Sequence, residues 1–154
     1  MLVEFSKISD KSKVWIYSSE KKLNINQLAY IENKISNHLV NWQSHKKNIQ
    51  AALDIVEDRF IIIAVDETKV SASGCSIDSL QRLIQDIELH LSISLLNRLN
   101  VYCVINDEIV CLPISSLKDK VDSSTLFYDL TINSKFQLSN FLKPIKNGWC
   151  NNLI

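Results

Sequence analysis

Apolar residues recur with two different periods along the chain, and these periods predict both helices and strands. Within positions 28–42 and 77–91 they return every three or four residues, which predicts two amphipathic helices. Asn24 and Gln27 precede the first helix at the spacing of a capping box. Runs rich in β-branched and aromatic residues predict strands at 13–18, 49–55, 60–65 and 101–105, the last continuing through a hairpin to 108–112.

The order of these elements predicts the fold class. Strand, helix, strand, strand, helix, strand indicates an α/β fold of the α+β kind with a ferredoxin-like split β-α-β core, and the hairpin adds a strand. Because 60–65 is apolar throughout, we expect it to be the central strand, buried on both faces. The length of 154 residues fits a single domain, with a core at 1–112 and a mostly helical extension at 113–154. In the extension, Ser134 to Leu142 is predicted to be a helix that ends before Pro144.

The charge and hydropathy of the chain argue against two classes of partner. Lys plus Arg and Asp plus Glu both number 17, so no overall field attracts nucleic acid or an acidic membrane. The longest apolar run has six residues, too few to cross a bilayer. Residues 1–5 lack the pattern of a signal peptide. We therefore expect a cytoplasmic protein without a membrane or nucleic-acid partner, while its oligomeric state stays open.

The four cysteines predict free thiols. None of them belongs to a C-x-x-C pair. If Asn106-Asp107 forms the hairpin turn, Cys103 and Cys111 point to opposite faces of the sheet and cannot form a disulfide. Free thiols are typical of a reducing compartment.

Candidate chemistry concentrates between Asp66 and Asp78, where the apolar strand leads into the second helix. The stretch contains carboxylates, serines and a cysteine. It also holds Gly74, one of only two glycines, which predicts a backbone need such as positive φ or a close approach. In the predicted topology, the loop containing His45 and the Asn106-Asp107 turn lie at the same end of the sheet as this stretch.

Three interpretations of the stretch remain open. In the first, a helix N-terminus favours the thiolate of Cys75, His45 accepts its proton, and Asp66 or Glu67 orients the imidazole. In the second, hydroxyls and the helix N-terminus bind a small anion without catalysis. The residues assigned to this ligand site are Glu67, Ser71, Ser73, Gly74, Ser76 and Asp78. In the third, Cys75 is a small buried apolar residue, and Ser76 or Asp78 caps the helix.

Metal and cofactor binding are not expected. His, Cys and carboxylate ligands suit zinc or iron, but their spacing here matches no established motif. We therefore predict neither a metal site nor another cofactor.

Several segments are similar to a small family of uncharacterised bacterial proteins, some of them labelled ABC transporter ATPase. The similar segments are Val14-Trp15-Ile16-Tyr17, Trp42-x-x-His45, Arg59 to Ile63, Val65-Asp66-Glu67, Asn97-Arg98-Leu99, Pro144 to Trp149 and, most distinctively, Ser73 to Asp78. Lys46 stands where the family pattern has glycine. The resemblance implies no established activity.

A P-loop is excluded by the glycine content. That loop needs G-x-x-x-x-G-K-[ST] to surround phosphates with backbone N–H groups, and Gly74 and Gly148 are too far apart to provide it. We expect the protein neither to hydrolyse ATP nor to bind Mg-ATP tightly. The favoured function is a non-catalytic module that binds a small anion or has a regulatory role. A cysteine-dependent enzyme and a protein-interaction module with an exposed sheet edge are the alternatives.

Overall fold

The computed structural model describes all residues from Met1 to Ile154 and confirms an α+β fold. Its helices and strands, in chain order, are β1 (Lys13–Ser18), α1 (Ile25–Val40), β2 (Gln43–Ser44), β3 (Lys47–Asn48), β4 (Gln50–Val56), β5 (Phe60–Asp66), α2 (Gly74–Leu91), β6 (Asn100–Ile105), β7 (Glu108–Pro113), α3 (Leu117–Lys120), β8 (Leu126–Tyr128) and β9 (Leu142–Pro144). No helix has the length and apolar character needed to cross a membrane. The chain forms two compact units, residues 1–96 with 133–136, and residues 97–132 with 137–154.

The first unit is built around β5. This strand lies between β1 and β4 and is antiparallel to both. Every residue from Phe60 to Val65 is at most 1% exposed, which confirms the predicted central strand. Ile61, Ile63 and Val65 belong to one apolar cluster with residues of both long helices. The uniformly apolar sequence is therefore explained by burial on both faces.

Both long helices begin at a side-chain cap. The predicted capping box of α1 is present, since Asn24 Oδ1 accepts the Gln27 N–H at 2.8 Å and Gln27 Oε1 accepts the Asn24 N–H at 2.9 Å. The apolar stripe of α1 buries Ile31, Ile35 and Leu39. The second helix starts earlier than its apolar pattern, because Ser73 caps it and Gly74 is its first residue.

The fourth strand of the predicted ferredoxin-like core lies in a different sheet. β6 pairs with β7 and β8 in the second unit and takes no part in the sheet around β5. The free edge of β1 is instead occupied by the segment 133–136. Val14 N–H donates to Asn133 O at 3.0 Å, and Lys135 N–H donates to Ser12 O at 2.8 Å. The backbone groups that the fourth strand would have used are thus already bonded.

The C-terminal third contains the extended segment expected at Leu126–Tyr128, which is β8, and a further strand, β9, that was not expected. The predicted helix from Ser134 to Leu142 is a 3-10 segment, Lys135–Asn140, followed by β9. The region lacks a helical apolar stripe, and Phe136 is 72% exposed. The predicted division at position 112 does not coincide with the boundary between the units, because β6 and β7 belong to the same sheet as β8 and β9.

The second unit has the strand order β7-β6-β8-β9. The predicted hairpin is correct in register, since Tyr102 is opposite Cys111 and Cys103 is opposite Val110. All four thiols are free. Gly148 has a packing role that explains its small size, because a Cβ at this position would overlap the ring of Phe127.

A partly enclosed ion pair lies at the end of β8. The Lys143 ammonium contacts Asp129 Oδ2 at 2.8 Å, and the exposed fractions of the two side chains are 18% and 8%. The other carboxylate oxygen accepts hydrogen bonds from the N–H and hydroxyl of Thr131. Burial alone would raise the pKa of Asp129, but the hydrogen bonds from Lys143 and Thr131 outweigh it and hold this pKa below 3.8.

Replacing Asp129 with Asn should destabilise the second unit in a pH-dependent way. Because the folded-state pKa lies below the unfolded value, the carboxylate stabilises the fold above about pH 4, and this contribution is lost as pH falls through the folded pKa. We expect a loss of about 3 kcal/mol in the free energy of unfolding at pH 7, narrowing towards pH 2. Urea unfolding at pH 7 and at pH 2, followed by spectroscopic signals of residues in the second unit, measures the loss at each pH.

A matched control for this change is Asp119→Asn. Asp119 is exposed on α3, so its replacement should leave the free energy of unfolding nearly unchanged. An Asp129→Asn penalty of equal size at pH 7 and pH 2 would contradict the role assigned to the ionised carboxylate.

Candidate functional site

The predicted loop at 43–48 is a small hairpin. Ser44 and Lys47 pair across it, and His45 and Lys46 form the turn with φ of 51° and 66°. These left-handed values favour glycine, and here they are adopted by a histidine and a lysine. The same conformation occurs in the turns at Glu57-Asp58 and Asn106-Asp107. It is therefore a requirement of tight hairpins and not a strain peculiar to His45.

Two carboxylates shape the loop that follows β5. Asp66 Oδ1 accepts the Thr68 N–H at 3.0 Å and the Thr68 hydroxyl at 2.7 Å. The hydrogen bonds from the side chain and backbone of Thr68 lower the pKa of Asp66 below 3.8. Glu67 Oε2 accepts the Ala72 N–H at 3.0 Å. Both acids are thus engaged within the loop itself.

The start of α2 is fixed by serines and by a buried indole. Ser73 Oγ accepts the Ser76 N–H at 3.2 Å, so Ser73 is the cap, and the predicted caps Ser76 and Asp78 are not. The Ser76 hydroxyl donates back to Ser73 O at 2.8 Å. Trp42 Nε1–H donates to Ser76 O at 2.9 Å. This last bond ties the helix start to the residue that precedes β2.

The β2–β3 hairpin and the loop between β5 and α2 border an open pocket of about 310 Å³. Its lining residues are Ser44, His45, Lys47, Lys69, Val70, Ser71, Ala72 and Ser73. His45 therefore lies beside the stretch from Asp66 to Asp78, as the topology predicted. The lining contains two lysines, a histidine and three serines, and it contains no carboxylate.

Other residues assigned to the site lie outside this pocket. Cys75 is exposed on the first turn of α2, so its interpretation as a buried apolar residue is wrong. His45 makes no hydrogen bond to Cys75 or Asp66, and Asp66 Oδ1 accepts hydrogen bonds from Thr68 instead. The Asn106-Asp107 turn belongs to the second unit. The remaining ligand-site residues that do not line the pocket are Glu67, Gly74, Ser76 and Asp78.

Gly74 does not show the backbone need that was predicted for it. Its φ is not positive. A Cβ built at this position would meet nothing within 4 Å. The contrast with Gly148, whose Cβ would overlap Phe127, shows that only the second glycine is required by packing.

Sequence reasoning missed three polar lining residues, Ser44, Lys47 and Lys69, and two apolar ones, Val70 and Ala72. Lys47 belongs to a short basic pair with Lys46, and such pairs are ordinarily solvated surface. Lys47 lines the pocket and Lys46 does not, because Lys47 pairs with Ser44 in the hairpin whereas Lys46 is in its turn. The sequence did place His45 near the loop after β5. That proximity was the available signal for the lysines next to it, Lys47 on the hairpin and Lys69 on the loop.

A larger concavity of the first unit is a poorer candidate. It measures about 910 Å³ and lies at the C-terminal end of α2. Its charges are mixed, with Glu20, Lys21 and Glu88 in the lining. The Glu88 carboxylate accepts the N–H groups of Leu95 and Leu96, so it holds the chain after the helix. No cluster of three or more His, Cys, Asp or Glu side chains is arranged to bind a metal ion.

Comparison of the chain with protein-family models, curated proteins and solved structures finds no match. The resemblance to uncharacterised bacterial proteins therefore stays a prediction.

The exposure of the thiols predicts their order of alkylation. Cys75 should react with iodoacetamide at pH 7 before the other three cysteines, because it is the only exposed one. Burial, with a smaller contribution from Cys150, raises the pKa of Cys103 to about 12. Burial also raises the pKa of Cys150. Timed alkylation followed by peptide mass spectrometry gives the four rates.

His45→Ala provides the matched test of the catalytic pairing. Because His45 and Cys75 share no hydrogen bond, the variant should label at Cys75 as fast as the parent protein. A several-fold slower reaction in the variant would show that the two side chains pair in solution. Labelling of Cys111, which is half-buried, ahead of Cys75 would contradict the exposed position at the helix start.

Proposed function

We propose that the protein is a non-catalytic module that binds a small anion in the pocket between the β2–β3 hairpin and the β5–α2 loop. The observation that carries the proposal is the composition of the lining, in which Lys47, Lys69 and His45 surround hydroxyl groups without any carboxylate. A cavity lined by one sign of charge attracts the opposite sign. Lysine and serine are ordinary donors to phosphate and carboxylate oxygens.

The arrangement of the neighbouring acids strengthens this preference. Asp66 and Glu67 lie next to the lining in sequence, yet their oxygens accept hydrogen bonds from Thr68 and Ala72. Neither acid forms an ion pair with a lining lysine, although the charge of Lys69 contributes to the lowered pKa of Asp66.

The first turn of α2 adds a second positive contribution. Ser73 both lines the pocket and caps the helix. The N–H groups at the start of a helix have no intrahelical partner, and the helix dipole places partial positive charge there. The dipole supplements the lysines and does not create the site on its own.

The size of the pocket limits the ligand. A volume of about 310 Å³ is at the lower end for small-molecule sites. This favours a compact anion such as phosphate or a short carboxylate. Because all four thiols are free and such thiols persist in reducing compartments, the cytoplasm is the proposed location.

Catalysis by Cys75 is the weaker alternative. The thiol is exposed, which favours reactivity, but it does not line the pocket. A nucleophile needs a base within hydrogen-bond reach, and no hydrogen bond joins His45 to Cys75, of which only His45 lines the pocket. Binding without chemistry is the function that the geometry supports best.

Titration of ¹⁵N-labelled protein with inorganic phosphate, at constant ionic strength set by chloride, tests the proposal. Backbone signals of the hairpin at 44–47 and of the loop at 69–73 should shift together and saturate. Lys47→Gln and Lys69→Gln should each weaken phosphate binding about fivefold, as expected for loss of one partly exposed charge contact.

Lys22→Gln is the matched control. Lys22 is an exposed lysine beside Asp58, at the opposite end of β5 from the pocket. Its loss should leave the phosphate affinity unchanged. Non-saturating shifts, or an equal loss of affinity in the Lys22 variant, would show that phosphate merely screens surface charge and would overturn the proposal.

A further inference from the structure

A separate pocket lies in the second unit, at the end of the sheet where β6 begins and where β7 and β8 finish. Its volume is about 260 Å³. The lining residues are Arg98, Asn100, Val101, Ile114, Tyr128, Leu130, Thr131 and Trp149. The pocket is therefore walled mainly by aliphatic and aromatic side chains, with a few polar groups among them.

Strand pairing brings the walls of this pocket together. Asn100 is opposite Pro113 across β6 and β7, so Val101 and Ile114 lie at the same edge of the sheet. The Ile114 N–H donates to Leu99 O at 2.9 Å and continues the pairing beyond the strands. Tyr128, the last residue of β8, is opposite Tyr102. Paired backbones hold these walls in fixed positions.

Trp149 is positioned by the glycine before it. Gly148 packs so closely on Phe127 that a Cβ would overlap the ring. Phe127 itself is fully buried in the apolar cluster of the second unit. The indole that follows nevertheless remains 40% exposed. A large aromatic side chain is thus anchored at its backbone and presented to the pocket with apolar surface still accessible.

Arg98 is the only charged residue in the lining. The nearby carboxylate of Asp129 is not part of it, and its oxygens accept hydrogen bonds from Thr131 and Lys143. The pocket therefore combines apolar walls with one positive group. Sites for small organic ligands have this character, in which apolar surface provides contact area and a few polar groups fix the orientation.

We propose that this pocket binds a small aromatic carboxylate. The ring would pack against Trp149 and Tyr128, where offset or edge-to-face aromatic contacts are favourable. The carboxylate would pair with the guanidinium of Arg98, whose planar donors match carboxylate geometry. The volume admits one or two fused rings and excludes larger ligands. This ligand differs from that of the pocket beside His45, which lacks aromatic walls.

The test compares naphthalene-2-carboxylate with its neutral carboxamide, both titrated into ¹⁵N-labelled full-length protein. The indole N–H signal of Trp149 should shift saturably with the carboxylate. The carboxamide should bind about tenfold more weakly, because it lacks the charge-assisted hydrogen bond. This comparison needs no mutation, so it does not depend on the folding of a variant.

Arg98→Gln should weaken the carboxylate about tenfold and leave the carboxamide affinity within about twofold. Lys146→Gln, which removes an exposed charge of the second unit outside the pocket, should change neither. Equal affinity for acid and amide would overturn the proposed ligand class. A Trp149 signal that does not shift, or an Arg98 variant that loses both ligands equally, would overturn the site.

Discussion

The burial of both faces of β5 is the constraint on which the candidate site in the first unit depends. No residue between Phe60 and Val65 carries a polar side chain, so the chain can place functional groups only where the strand ends. Asp66 is that point, and the loop after it must turn into α2. The bond from Trp42 to Ser76 then fixes the helix start relative to β2. Core packing thus determines where polar chemistry is located.

The electrostatic character of the site follows from how the loop is held. Asp66 and Glu67 use their oxygens to organise Thr68 and Ala72. Lys69 lines the pocket. The lining thus holds two lysines and no carboxylate in a chain with equal numbers of acidic and basic residues, and the charge of Lys69 contributes to the lowered pKa of Asp66.

Local patterns predicted the elements of the first unit, and non-local pairing explains what they missed. The α1 cap and the central strand each depend on neighbouring residues or on burial, which the sequence displays. Whether β6 joins the sheet around β5 depends on competition for the edge of β1, which the distant segment 133–136 occupies. In the site, the predicted order of strands and helices correctly put His45 beside the loop that follows β5. Lys47 and Lys69 escaped notice because an exposed lysine has the same sequence signature whether or not it borders a cavity.

The central claim is that the pocket beside His45 is an anion site built on a cationic lining. A crystal structure of the protein soaked with tungstate tests it most directly, because the anomalous signal of tungsten locates the anion without ambiguity. The account predicts a tungstate ion between Lys47 and Lys69, within hydrogen-bond distance of at least one lining serine. Tungstate bound elsewhere on the first unit, with this pocket empty and not covered by a crystal contact, would contradict the account.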